Sequence, residues 1–562
     1  MDGDVSGLWT RAETAAASLI AGLVAAVLSA YLLDRLGVRI APFLVLLVAV
    51  VCGAATLAWR PRGLDGAQVP HGDLAAFGAT VLGVLSALLW LGWPELLPTG
   101  GGSDLTHHLQ LIDFIDRHGR LARTAADAAL VGNMINYTPG SHLLASMAGA
   151  WMRTDGLHAV YPVVAFSVAV KAGLLLLIVR RMVSTRFGAA TGVASVLLLF
   201  LPYDYFIGSF ARFSFLAQVV SETFAVAMWL ALVLWDDRPS LAAAALFAIA
   251  GVGVFLTWPV WIGPPVLVLV ALVAMRGDVS RLDRLRGLAC AIGPIGLVAV
   301  LHAAGRGESV AIVQSGGSAF WPAVSRFTWP FLLLVAAGGF VAVRDRSSRV
   351  TMLLLAAIAA QTVALLVVWR VSGADSPYMA LKMPHLAIYP MAALGGLAVS
   401  GALGMLARPA DALVSGPWLK ARWADGAVWA AVAVGIVWIA SSVSAMPRPA
   451  PAITEDTYQA GRWAREHAQP DCIEYLVPQD ATSYWLHLAV LGNPSQPAPG
   501  TSVPVYVYRE AVIRWITGTS HPVAIADLSV IPREAREDMD VLARFGPIAV
   551  GRRRGTTACP KR

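Results

Sequence analysis

Apolar runs long enough to cross a bilayer recur from one end of this chain nearly to the other. A helix needs about 20 apolar residues to span the hydrocarbon. Candidate spans fall at 14–34, 39–59, 74–93, 157–179, 188–205, 217–235, 240–257, 260–275, 287–304, 328–343, 350–369, 384–406 and 426–446. The chain therefore reads as a polytopic α-helical membrane protein with about 13 transmembrane helices. Of its 562 residues, 57% are hydrophobic and 14% charged, where an average soluble protein carries about 25% charged residues. The pair of spans around Thr257-Trp-Pro-Val-Trp-Ile-Gly-Pro-Pro265 reads either as a tight turn between two helices or as one broken helix, because Pro259, Pro264 and Pro265 interrupt it.

Orientation follows from arginine and lysine in short loops. One alternate set of loops carries Arg60 and Arg62; Arg180, Arg181 and Arg186; Arg276, Arg281, Arg284 and Arg286; Arg344, Arg346 and Arg349; then Arg408, Lys420 and Arg422. Within that set, Asp236-Asp237-Arg238 alone is near neutral, while Arg35 and Arg39 in the other set run against the pattern. The expectation is a bacterial plasma-membrane protein with a cytoplasmic N-terminus, an outer loop at 94–156, and everything after about 447 outside. The net charge of +7 then belongs to membrane topology and not to a nucleic-acid partner. The start of the chain, MDGDVSGLWTRAE, lacks the basic stretch and cleavage site of a secretory signal.

Two domains are expected. Residues 1–446 form the transmembrane part, with interfacial helices in the loop 94–156. Residues 447–562 follow the linker Pro447-Arg-Pro-Ala-Pro451 and form a small extracytoplasmic α/β domain. Its expected elements are helices at 455–467 and 481–491, strands at 472–477 and 503–508, then a helix at 533–545 and a strand at 547–550. Cys472 and Cys559 bracket this part, and two cysteines outside the cell are expected to pair; Cys52 and Cys290 lie in apolar spans.

Chemistry concentrates in Gly100-Gly-Gly-Ser-Asp-Leu-Thr-His-His108. Asp104, His107 and His108 lie within about a turn of one another at the start of an amphipathic pattern. Ser103 or Asp104 can cap that helix, and a capping carboxylate is also held rigidly. The return of the same loop carries Tyr137-Thr-Pro-Gly-Ser-His142, with Pro139 placed to start a second helix. No P-loop, dinucleotide-binding glycine motif, H-E-x-x-H or G-x-S-x-G is present, which argues against an ATP-driven pump and a lipase.

A long first outer loop that opens on an acidic residue and contains an interfacial helix resembles the GT-C superfamily of integral-membrane glycosyltransferases. Stretches similar to Tyr137-Thr-Pro-Gly-Ser-His142 occur in bacterial members. The resemblance implies transfer of a sugar from a polyprenyl-phosphate donor to an extracytoplasmic glycan, lipid or protein acceptor. It implies that Asp104 is the catalytic base of an inverting reaction. His107, His108, Tyr137 and His142 would line the sugar site, with Asp204 as a further acidic candidate. A divalent metal (Mg, Mn or Ca) at Asp104 and His108 is left open. The donor phosphate needs cations, and Arg370, Lys382 and His385, with Tyr378 beside them, lie around the outer entrance of the twelfth span. The Ala/Arg/Gly/Val bias fits a high-GC bacterium, for which arabinosyl or mannosyl transfer in cell-wall biogenesis is the expected setting. The competing expectation is a transporter or lipid-carrier flippase, which should show inverted repeats and ionisable residues near the midplane.

Overall fold

The structure is a computed structural model. It describes residues 9–59, 72–99, 103–183, 187–213, 215–276, 280–304, 320–373, 376–413, single turns between 430 and 437, 450–469, 472–492, 507–518 and 521–557, without the side chains of 103–104, 403–413 and 480–481.

Helix starts follow local capping chemistry. Helix α1 (Arg11–Arg35) opens on a capping box in which Thr10 and Glu13 bond each other's backbone. α2 (Pro42–Ala58) has proline in its first turn, where the missing N–H costs nothing. α3 (Gly72–Gly92) leads into the loop helices α4 (Ser103–His118), α5 (Ala125–Val131) and α6 (Gly140–Met152). Then come α7 (Gly156–Met182), α8 (Gly188–Leu198), the single turn α9 (Gly208–Ala211), α10 (Leu216–Asp237), α11 (Leu241–Thr257) and α12 (Gly263–Met275). The membrane part continues with α13 (Arg281–Ala303), the short α14 (Val324–Phe327), α15 (Trp329–Ala342), α16 (Arg349–Ser372) and α17 (Tyr378–Leu413). Among the described residues, 7 helices are long and apolar enough to cross a membrane, and shorter apolar helices lie between them. The expected span at 426–446 falls almost wholly outside the described residues.

The bundle has two chemically distinct ends. At one, Arg181 pairs with Glu13 (2.5 Å) and Asp237 (3.3 Å), Arg180 with Asp73 (3.2 Å), Arg349 with Asp236, and Ser347 bonds the Met182 carbonyl. At the other, Arg123 pairs with Asp34 (2.5 Å), Trp151 donates to the Pro42 carbonyl, and Thr138 donates to the Thr257 carbonyl. Alternate loops thus share an end, as the arginine pattern requires. The chain at Pro259 makes a 3-10 turn, Pro259–Ile262, and comes back. Thr257 sits at the α4 end, while Arg276 donates to the Asp236 carbonyl at the opposite one (2.7 Å). The region is therefore two helices and a turn.

α7 and α10 form the buried centre. Lys171 and Glu222, both fully buried, pair between them, and Tyr389 of α17 donates to Glu222 at 2.8 Å. The outside is apolar, with Phe43, Leu297 and Val363 exposed, as hydrocarbon-facing helices should be.

The tail opens with α18 (Glu455–His467), followed by β1 (Ile473–Leu476), α19 (Asp480–Trp485), α20 (Tyr508–Thr517), β2 (Val523–Asp527), α21 (Arg533–Glu537), β3 (Met539–Phe545) and β4 (Ile548–Arg553). The sheet order is β1-β2-β4-β3, with β1 and β2 parallel and the remaining pairs antiparallel. Three expectations change. The helix expected over 533–545 stops at Glu537, and its second half becomes β3. A hairpin turn at Gly546, with φ +52, pairs that segment with β4, so pairing in the sheet overrides helical preference. The helix expected over 481–491 continues past Trp485 as a π-helical turn, Leu486–Val490. Of the strand expected at 503–508, residues 503–506 lie outside the described residues, and Tyr508 opens α20.

Candidate functional site

α4 is the element on which the two halves of the chain meet. One face packs on the membrane part through Leu105, Leu109, Ile112 and Ile115, all buried. Asp104 is its second residue, held in helical backbone. Its side chain and the glycines 100–102 lie outside the described residues.

Three of the residues expected at the sugar site come together. His108 Nδ1 lies 2.8 Å from His142 Nε2, and the two buried rings stack with centroids 5.1 Å apart. Tyr137 stands edge-on to both, at 5.1 Å and 5.6 Å. One ring nitrogen must accept, so at most one of these imidazoles carries a second proton. α6 can bring His142 in because Gly140 touches the α11 backbone; a Cβ there would lie 2.7 Å from the Leu256 carbonyl oxygen. His107 points elsewhere: its Nε2 meets the Tyr484 hydroxyl of the tail at 3.0 Å. Among the described residues, no group of three or more His, Cys, Asp or Glu side chains is placed to hold a metal ion.

The expected phosphate residues partly converge. Lys382 and His385, both buried, sit one turn apart in α17. The Lys382 ammonium lies 2.8 Å from the centroid of Phe215 and 4.8 Å from that of Tyr378. The His385 ring packs against Tyr205 (5.1 Å), Phe215 (5.6 Å) and Phe320 (5.9 Å), and its Nδ1 has no hydrogen-bond partner among the described residues. Asp204 is held by Arg326 and, at 3.5 Å, by Arg212. Arg370 is apart from this group, exposed and stacked on Trp369 at 4.7 Å. The start of α4 reaches the same region: Leu105 shares a small cavity with Phe210 and Leu216, next in sequence to Phe215.

A larger cavity, of about 420 Å³, opens between α4, the start of α2, α6 and the tail. Arg465 holds Asp113 with two hydrogen bonds (2.8 and 3.0 Å), and Arg117 reaches the same carboxylate at 2.5 Å. Asp116 faces the cavity, accepting from Ser146 and from the Gly156 amide (2.9 Å). Enclosure by protein outweighs these bonds and pushes its carboxyl up to about 6. Asp155 caps α7 and accepts from the His158 amide and ring and from the Tyr458 hydroxyl. Burial works to raise its carboxyl, but the hydrogen bonds win and hold it at about 2. Arg39, one of the two arginines against the topological pattern, also lines this cavity. None of its carboxylates was legible as a site, because Asp113 and Asp116 fall on a helix face that looks merely amphipathic and Asp155 reads as a helix cap. Cys472 is disulfide-bonded, Cys52 and Cys290 are free, and Cys559 lies outside the described residues.

No protein-family model matches the chain, and no curated protein matches it. Among solved structures, ArnT from Cupriavidus metallidurans in the apo state is similar at 16% identity, over 85% of this chain and 97% of that one, with a TM-score of 0.49. The Archaeoglobus fulgidus oligosaccharyltransferase in the apo form is similar at 13% identity, over 82% and 70%, with a TM-score of 0.49. The archaeal oligosaccharyltransferase AglB from Archaeoglobus fulgidus, in complex with an inhibitory peptide and a dolichol-phosphate, gives 13%, 87%, 75% and 0.47.

Proposed function

We propose that this chain is an inverting, GT-C-like membrane glycosyltransferase that moves a sugar from a polyprenyl-phosphate carrier to a hydroxyl of an extracytoplasmic acceptor. The observation that supports the reading is that Leu105, next to Asp104 in α4, lines the same small cavity as Leu216, which follows the Phe215 ring that lies against the Lys382 ammonium. Lys382 Nζ lies 2.8 Å from the Phe215 ring centroid. Asp104 takes the proton of the acceptor hydroxyl as its oxygen attacks the anomeric carbon. The bond from that carbon to the carrier phosphate breaks, and the phosphate leaves with the electron pair. Lys382 stabilises the charge that develops there, with His385 offering its buried ring beside it. Tyr137 and the His108–His142 pair form a polar, aromatic wall for the sugar. The cavity between α4 and the tail offers carboxylates and guanidiniums to a hydroxyl-rich acceptor.

The second reading, a transporter or flippase, draws on one observation, the Lys171–Glu222 pair deep in the bundle. Reconstituted protein supplied with a panel of polyprenyl-phosphate sugars and cell-envelope glycans separates the two. Glycosyl transfer is expected, with Lys382→Gln raising the donor KM at least about tenfold, as loss of a charged contact to phosphate should. An unchanged donor KM removes Lys382 from the phosphate site. Carrier flux across the vesicle without any transfer would establish the second reading.

A further inference from the structure

We propose that the end of the bundle opposite α4 holds a binding site for the phosphate headgroup of an anionic glycerophospholipid. A cavity of about 250 Å³ opens there between the end of α10, the start of α11, the end of α12 and the start of α13. Among the described residues its cationic lining is Arg276, Arg284 and Arg286, and the carboxylate in that lining is Asp283. Topology alone requires arginines in such a loop, but it does not require them to converge on a cavity.

The site is built by its neighbours. Ser280 caps α13 by accepting from the Asp283 amide at 3.1 Å, which fixes the turn that carries Arg284 and Arg286. Arg276 is anchored by its bond to the Asp236 carbonyl. Gly287 lets the Trp235 indole lie against α13; a Cβ at that position would come within 2.9 Å of the ring. Arg286 and Asp283 are 3.6 Å apart with side chains 69% and 59% exposed, so their pairing is weak and leaves Arg286 free to turn to another anion. The planar guanidinium forks match phosphate oxygens.

The rest of the lining says why the ligand is a lipid. Trp235, Leu241, Ala244 and Val273 form an apolar wall. Its edge reaches the outer surface at Leu241, which is 64% exposed. A free phosphate has no use for that wall, whereas an acyl chain lies along it while the headgroup meets the arginines. Basic pockets between membrane helices on the side facing anionic leaflets are placed for such headgroups. This site is independent of the proposed transfer site, which lies at the other end.

The test is native mass spectrometry of the full chain released from bilayers of equal phosphatidylglycerol and phosphatidylcholine. Preferential retention of phosphatidylglycerol is expected. Arg284→Gln with Arg286→Gln should reduce that preference about fivefold for each arginine, the effect of one basic residue near a membrane surface. Gly287→Leu, which keeps every charge and fills the crevice, should also reduce it; should that variant not fold, the arginine pair decides alone. Arg552→Gln with Arg554→Gln in the tail should leave it unchanged. Equal retention of the two lipids by the unaltered chain overturns the proposal. So does an unchanged preference in the arginine variant, or displacement of the lipid by millimolar inorganic phosphate.

Discussion

At the scale of single residues, the strongest constraint in the membrane part is the pairing of Lys171 with Glu222. Both side chains are fully buried, and Gln218 and Tyr389 complete the shell around the carboxylate. Removing one partner strands the other charge, so Glu222→Gln should cost about 3–5 kcal/mol, read as a fall in the thermal midpoint in detergent. Lys171→Met with Glu222→Leu should recover most of the loss. Asp116 carries a pH signature of opposite sense to a salt-bridged carboxylate. Its carboxyl is raised from 3.8 to about 6, so between those values the folded protein holds more protons than the unfolded chain. Stability from this group is present below about 3.8 and is lost as pH rises through about 6. Asp116→Asn should therefore gain stability relative to the unaltered chain as pH rises from 4 to 7, then level off. A stability difference that is flat with pH would show that Asp116 titrates normally. Lys171 falls inside the apolar run 157–179, but no local pattern points to its partner, because Glu222 lies 51 positions away on another helix.

Among the elements, α4 links the membrane part to the tail. Its Asp113 takes Arg465 of α18, and its His107 meets Tyr484 of α19. Arg465→Ala with Tyr484→Phe should loosen that contact, seen as faster amide exchange over 455–467 and 107–117 with the bundle helices unaffected. Unchanged exchange would mean that apolar packing alone holds the tail. α4 was legible because its amphipathic pattern follows three apolar runs. Its docking partner was not, because ion pairs between distant segments leave no local periodicity. The tail shows the same limit. Glu455–His467 and Ile473–Leu476 follow their local patterns, whereas Met539–Phe545 is a strand only through its pairing with Ile548–Arg553.

For the whole molecule, arginine placement anticipated which loops share an end, and the ion pairs at Glu13, Asp73, Asp236 and Asp237 gather them there. Single cysteines placed at 276 and at 540 should react with an impermeant thiol reagent from opposite sides of the membrane; labelling from one side would contradict the alternation. The grouping of the candidate-site residues was legible in part. His108, Tyr137 and His142 meet because one loop folds back as two helices, and Lys382 lies with Tyr378 and His385 because they share a helix start. Arg370 ends a different helix and turns outward, while Arg212 and Arg326 take Asp204 from separate loops. The central claim is that glycosyl transfer depends on a carboxylate at the start of α4. Single-turnover transfer from a polyprenyl-phosphate sugar by Asp104→Asn, at saturating donor, tests it most directly. The account predicts a rate lower by about 10²–10⁴ with donor binding retained; a rate equal to that of the unaltered protein would contradict it.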